Sequence, residues 1–290
     1  MAVAVRAPRD HTVGAWDWKG LPMAFKLALA QCAHPGNGDV LGLVQDWVKR
    51  AVLADADMLV FPEGLMTPFE KEPEEYMASA QMLTGGFSRA VDEIIREQGI
   101  WTIYTMNEKN LLTEGKPYNT AVVAGPDGNI RDSYRKVHLF DSGDYSESSK
   151  MSPGNRIFVP FDVPFCRFGL GICYDLRFPE LARKQALDGC DIMIYPSAWV
   201  DGPGKVDQWV TLLRARAIEN GIYTAGVCRV GDGYIGNSLV ASPTGEVLAQ
   251  AGTGEELLLC RIDINKVKAA QEAIPTLKDR RPELYADEEE

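Results

Sequence analysis

Residues 169–180 read Gly169-Leu170-Gly171-Ile172-Cys173-Tyr174-Asp175-Leu176-Arg177-Phe178-Pro179-Glu180. An apolar run carrying two spaced glycines ends in a cysteine, and a helical pattern follows over residues 178–187. The stretch predicts a strand that turns sharply into a helix with a thiol at the turn, a geometry that exposes a nucleophile in other hydrolases. Strand-to-helix passage of this kind is one unit of an alternation that runs through the whole chain.

Upstream, the pattern predicts a strand over 25–31, a helix over 39–56 with Asp39 as cap, and a buried strand over 58–61 ending at Pro62. A long helix over 74–98 and a strand over 100–106 follow. Residues 118–124 and 130–137, joined by Gly125-Pro126-Asp127-Gly128, carry a strong hairpin signal. Residues 140–153 form a polar loop without periodicity, and a second strand pair is expected at 156–161 and 165–172. Downstream come a strand over 191–195, a helix over 206–220 carrying Arg214 and Arg216, and strands over 223–228, 237–242 and 257–262. Because hairpins interrupt the alternation, the expected architecture is α/β with two mixed sheets and helices outside. No internal repeat or composition shift divides it. Residues 1–22, broken by Pro8, Gly14, Gly20 and Pro22, are expected to be an irregular extension, with Met23 a candidate true start. Residues 23–275 form the domain, and residues 276–290 an acidic tail ending in Asp287, Glu288, Glu289 and Glu290.

With 290 residues, 46% hydrophobic and 24% charged, the chain can bury a sizeable core. Its net charge of −11 speaks against a nucleic-acid or anionic-membrane surface as its main business. No run approaches the roughly 18 apolar residues of a membrane span, and the first residues lack the apolar core of a signal peptide. A cytoplasmic protein is expected. Cys32, Cys166, Cys173, Cys190, Cys228 and Cys260 contain no CxxC pair and are expected as free thiols. Three histidines, His11, His34 and His138, argue against a zinc site.

A helix N-terminus and a nearby cation would lower the Cys173 pKa; the competing reading is a buried structural cysteine. A thiol nucleophile needs a base and an oxyanion stabiliser. His34 and His138 are the few imidazole candidates. Glu63, at the end of the 58–61 strand, could serve as a carboxylate base, and is equally readable as a cap or loop charge. Lys136 could hold a developing oxyanion or be half of a solvated basic pair, and periodicity does not choose between it and Arg135.

The ordered set Phe61-Pro62-Glu63, Arg135-Lys136-Val137-His138-Leu139-Phe140 and Cys173-Tyr174-Asp175-Leu176-Arg177-Phe178-Pro179-Glu180 resembles the nitrilase, or carbon–nitrogen hydrolase, superfamily. Tyr195-Pro196-Ser197-Ala198-Trp199, the 209–220 helix and residues 236–247 extend the likeness from about Phe25 to Ile264. The resemblance implies an α-β-β-α sandwich that pairs into dimers or higher even homo-oligomers. It implies Glu63 as general base, Lys136 as oxyanion stabiliser and Cys173 as nucleophile. Glu147, in Asp144-Tyr145-Ser146-Glu147-Ser148, would orient Lys136 and the substrate. The Tyr174 backbone N–H would complete the oxyanion site, and Trp199 would help orient the substrate. Arg177 and Glu180 are expected to pair and hold the following helix, and Arg214 and Arg216 to be structural.

Within the superfamily the chain looks similar to the amidase branches acting on deaminated glutathione or ω-amides. Gly202-Pro203-Gly204-Lys205-Val206 departs from the Gly-Pro-Ala-His-Trp those branches tend to show. The implied reaction converts a small linear carboxamide to acid and ammonia through a cysteine thioester, without metal or organic cofactor. Nitrile or N-carbamoyl hydrolysis, acyl transfer, and a non-catalytic scaffold are the alternatives.

Overall fold

Strand β1 (Ala24–Gln31) is almost continuously apolar because both of its faces are covered. Phe25, Leu27 and Leu29 join the core between two sheets, whereas Ala28 and Ala30 lie under helices, where a small side chain lets the helix approach. The computed structural model describes residues 24–285 apart from 37, 69, 70, 113, 114, 144 and 232. The expected extension over 1–22, Met23 and the acidic end over 286–290 lie outside the described residues.

After β1 come α1 (Val40–Leu53), β2 (Met58–Val60), α2 (Pro73–Ser79), α3 (Gly86–Gln98), β3 (Trp101–Glu108) and the hairpin β4 (Tyr118–Ala124) and β5 (Ile130–Arg135). A small ribbon of β6 (Asp141–Ser142) and β7 (Tyr145–Ser146) precedes β8 (Phe161–Val163) and β9 (Cys166–Leu170). A 3-10 turn at Cys173–Arg177 leads into α4 (Pro179–Leu187), β10 (Ile192–Ser197), α5 (Lys205–Asn220) and β11 (Tyr223–Cys228). The chain closes through β12 (Leu239–Ala241), β13 (Val247–Gln250), β14 (Glu256–Asp263) and α6 (Asn265–Ala273).

Two six-stranded mixed sheets result, in the orders β14-β1-β2-β3-β4-β5 and β13-β12-β11-β10-β9-β8. In each, three parallel strands (β1-β2-β3 and β9-β10-β11) are flanked by antiparallel partners. The last strand therefore completes the first sheet, pairing β14 with β1 from Ala24↔Asp263 to Gln31↔Glu256. Tyr134, Phe158 and Phe168 belong to the shared core between the sheets, and Trp47, Val91 and Ile95 pack helices α1 and α3 onto the first sheet. The α-β-β-α sandwich is the expected fold.

The Asp39 side chain caps α1 by accepting from Gly42 N at 2.9 Å, a contact worth about 1 kcal/mol. Four expectations are corrected. The helix expected over 74–98 is broken into α2 and α3, because Gln81 donates to Asn107 O and accepts from Lys109 N beside β3. The loop over 140–153 contains the β6–β7 ribbon. The strand expected at 156–161 forms only from Phe161, where pairing with Phe168 begins. Strand β13 and helix α6 were not anticipated at all. Within the expected tail, Thr276 Oγ1 donates to Glu219 O at 3.0 Å and Leu277 packs on the core. Among the described residues no helix is long and apolar enough to cross a membrane.

Candidate active site

Parallel strands deliver the residues after their carboxyl ends to one edge of a sheet. Glu63 follows β2, Cys173 follows β9 and Ala198 follows β10, while Lys136 directly follows β5. Asn119, near the start of antiparallel β4, reaches the same rim. The sandwich thus converges a carboxylate and an ammonium from one sheet on a thiol from the other.

The Lys136 ammonium bonds Glu63 Oε1 at 2.9 Å and both Glu147 oxygens at 2.7 and 3.0 Å. Each of these three side chains is 2% exposed. Asn119 Nδ2 donates to Glu63 Oε1 at 2.8 Å and to Glu147 Oε1 at 3.3 Å. The remaining carboxylate oxygens take backbone donors: Ala198 N–H to Glu63 Oε2 at 2.8 Å, and Phe140 N–H to Glu147 Oε2 at 2.7 Å. Buried charges without such partners would cost several kcal/mol each. Here both carboxylates and the ammonium are paired, so their positions are fixed. Lys136 rather than Arg135 enters the cluster, since Arg135 turns away to pair with Glu108 at 2.6 Å.

Cys173 adopts φ +47°, a left-handed conformation costly for a side chain with a Cβ. The turn is over-determined by its surroundings. Fully buried Asp175 accepts from Ile172 N–H at 2.8 Å and from the Tyr134 hydroxyl at 2.8 Å. Its other oxygen accepts from His138 N–H at 3.1 Å and contacts His138 Nδ1 at 2.7 Å. His138 also stacks on Phe178 with centroids 3.6 Å apart. That places the imidazole on the turn, while the carboxylates that influence the thiol are Glu63 and, more weakly, Glu147. Gly171 is required because a Cβ there would sit 2.7 Å from the Tyr195 ring.

The expected lowering of the Cys173 pKa is not found. Burial and the adjacent Glu63 carboxylate push the thiol well above its ordinary value, against the smaller opposing effects of Lys136 and the Ala198 amide. The cluster holds two carboxylates against one ammonium, so the resting sulfur keeps its proton. Burial alone would depress the Lys136 ammonium, but Glu147 and Glu63 overcome it and hold the lysine above its ordinary value. The arrangement sets a thiol, a carboxylate beside it and an ammonium within one buried cluster. The Tyr174 amide, in the first turn after Cys173, makes no hydrogen bond among the described residues and is a second available donor.

A narrow cleft opens onto Cys173, walled by Phe140, Tyr174, Ala198, Trp199, Arg177 and Lys205. Arg177 does not pair with Glu180 among the described residues. It donates to Gln208 Oε1 at 2.8 Å and lies 4.7 Å from the Trp199 ring centroid. Arg214 and Arg216 are structural, bonding Gly245 O and Leu176 O. Asn119, Asp175 and Tyr134 were missed in the sequence. The available signal was the polar pair Asn119-Thr120 ahead of the apolar part of the Tyr118–Ala124 strand and an acid two residues after the cysteine.

A family model described as carbon–nitrogen hydrolase matches residues 26–272. The omega-amidase NIT2 of Homo sapiens is 36% identical over 278 residues, covering 91% of this chain and 97% of that protein. Nit3 of Saccharomyces cerevisiae, a member of branch 10 of the nitrilase superfamily, superposes with a TM-score of 0.80 at 30% identity, covering 92% of this chain and 100% of that one. A glutamate-to-glutamine mutant of the Nesterenkonia sp. AN1 amidase superposes with a TM-score of 0.77 at 26% identity, covering 90% and 95% of the two chains. It carries the acetamide moiety of fluoroacetamide on its active-site cysteine.

Proposed function

The chain belongs to the carbon–nitrogen hydrolase family, and from that premise we propose that it hydrolyses a small linear carboxamide of the ω-amide type through a thioester on Cys173. It is a hydrolase of non-peptide carbon–nitrogen bonds. The observation carrying the mechanism is the paired Glu63–Lys136–Glu147 cluster beside a thiol held in left-handed backbone. The cysteine-bound acetamide of the similar amidase supports it.

In this mechanism Glu63 accepts the thiol proton as sulfur attacks the carbonyl carbon. Lys136 Nζ and the Tyr174 N–H hold the oxyanion, each such donor contributing about 3 kcal/mol. Protonated Glu63 returns its proton to the departing nitrogen, which leaves as ammonia, and the thioester remains. Water then gives a proton to Glu63 and attacks the thioester. Collapse breaks the carbon–sulfur bond, the sulfur takes its proton back from Glu63, and the acid is released. A protonated resting sulfur needs an adjacent base at the moment of attack, and Glu63 supplies it. Glu147 fixes Lys136, and Trp199 walls the cleft.

The test is ammonia release from α-ketoglutaramate and succinamate by wild type and Cys173→Ala. Turnover lost in the variant is expected. Equal rates in the two proteins would overturn the thioester route. The six free cysteines support a reducing, cytoplasmic setting. An even-numbered homo-oligomer, as the family resemblance implies, belongs to this reading, and exposed Leu187, Ile218, Leu284 and Tyr285 on and beside the outer helices offer apolar surface for it.

A further inference from the structure

Two cations line the cleft over Cys173, Arg177 and Lys205, and among the described residues no acidic side chain lines it with them. Their surroundings differ. Arg177 is engaged by Gln208 and the Trp199 face. The Lys205 ammonium makes no ion pair or hydrogen bond among the described residues, and its Nζ lies 5.8 Å from the Phe140 ring centroid. Lys205 is also the first residue of α5, where the helix dipole disfavours a positive charge. The backbone behind it is unusual, since Gly204 caps the helix at φ +71° with no side-chain hydrogen bond. The lysine head placed there gains no hydrogen bond or ion pair from the described residues. Its half-buried stem and charged head instead border the cleft that opens onto the thiol.

We propose that Lys205 is a specificity-determining residue that reads an acidic group on the substrate, so that the cleft favours carboxamides carrying two carboxylates over those carrying one. The inference deepens the amidase reading above and rests on it. A neutral amide leaves two like charges facing each other in the cleft. One carboxylate neutralises one of them, and a second carboxylate completes the match. Arg177, oriented by Gln208 and Trp199, takes the carboxylate nearer the amide, and Lys205, on the opposite element, takes the outer one. Lysine suits that place, because its flexible stem lets a point charge follow acids of different length.

The experiment is a charge series assayed by ammonia release: butyramide, glutaramate and the terminal monoamide of tricarballylic acid, carrying zero, one and two carboxylates. Wild type, Lys205→Met and Lys205→Arg are compared. In wild type, kcat/KM is expected to rise at each step. Lys205→Met should lower the second step by about tenfold, the size of one charge-assisted contact, mainly through KM. Lys205→Arg should restore most of it. An equal loss on all three amides would overturn the role of Lys205 while leaving the amidase reading intact. Flattening of the first step alone would mean that both cations hold a single carboxylate, and would overturn the two-acid preference. Silence of the wild type on every amide would instead overturn the amidase reading, and this inference with it.

Discussion

Glu147→Gln removes one negative charge from the cluster while keeping its shape. In the folded protein Glu147 holds Lys136 through both oxygens, at 2.7 and 3.0 Å, and also accepts the Phe140 amide at 2.7 Å. A glutamine can keep the amide contact with its carbonyl, but its NH2 must then face an ammonium that can only donate. Breaking a buried pair by removing one partner costs about 3–5 kcal/mol. The retained contact places this variant near the lower end, at about 3 kcal/mol. The loss also has a chemical direction. Lys136 now directs its whole charge at Glu63, 2.9 Å away, which makes that carboxylate a poorer acceptor for the Cys173 proton. If about 3 kcal/mol appears in the barrier, kcat falls roughly a hundredfold. Saturating ammonia-release kinetics measure this, with iodoacetamide labelling of Cys173 as an independent probe of proton transfer. Labelling should slow in parallel with kcat. Retention of more than a tenth of kcat with unchanged labelling would refute the positioning role of Glu147.

The thiols make stability depend on pH in a stated direction. Burial pushes Cys32 and Cys228 up to about 12 and Cys260 up to about 11, from 9.0, and raises Cys166, Cys173 and Cys190 as well. As pH rises through 9.0 the unfolded chain releases protons that the folded chain keeps, so the unfolded state gains. The melting temperature should fall steadily between about pH 9 and pH 11, and a flat profile would contradict the buried-thiol picture. The exposed apolar residues beside the outer helices should be covered in solution, so sedimentation equilibrium is expected to give an even multiple of 32.0 kDa. A monomer at micromolar concentration would count against that assembly.

Periodicity located most elements because most are covered on predictable faces. Helix α1 declared itself through Val44, Trp47, Val48 and the Asp39 cap, and the β4–β5 hairpin through its glycine turn. The failures have local causes. Residues 80–85 look helical from composition, yet Gln81 is drawn into backbone pairing with β3, a partner that no local pattern names. Helix α6 buries only Val267, so its periodic signal is faint. Strand order was equally hidden, since nothing local says that β14 lies beside β1. At the site, Glu63, Lys136, Glu147 and Cys173 were legible through the resemblance to carbon–nitrogen hydrolases that their flanking motifs carry, while the residues alone left Lys136 and Arg135 undecided; the structure brings the four together. Asn119, Tyr134 and Asp175 were not. Each acts on a partner far along the chain, as Tyr134 does on Asp175. Polar residues of this kind reveal themselves only when burial leaves them no solvent to bond.

The pairing of β14 with β1 has a consequence for biosynthesis. Strand β1 is made early, and its partner on the outer edge, Glu256–Asp263, is made last among the strands of the first sheet. By then Glu63, Lys136 and Cys173 have all been made. At translation speeds of about 5–20 residues per second, the stretch from Cys173 to Asp263 takes on the order of 5–20 s. During that interval the nascent chain carries every reactive group of the site without the completed first sheet that holds Glu63 and Lys136 in place. In the proposed mechanism the site is therefore complete only once the strand that closes the first sheet has been made.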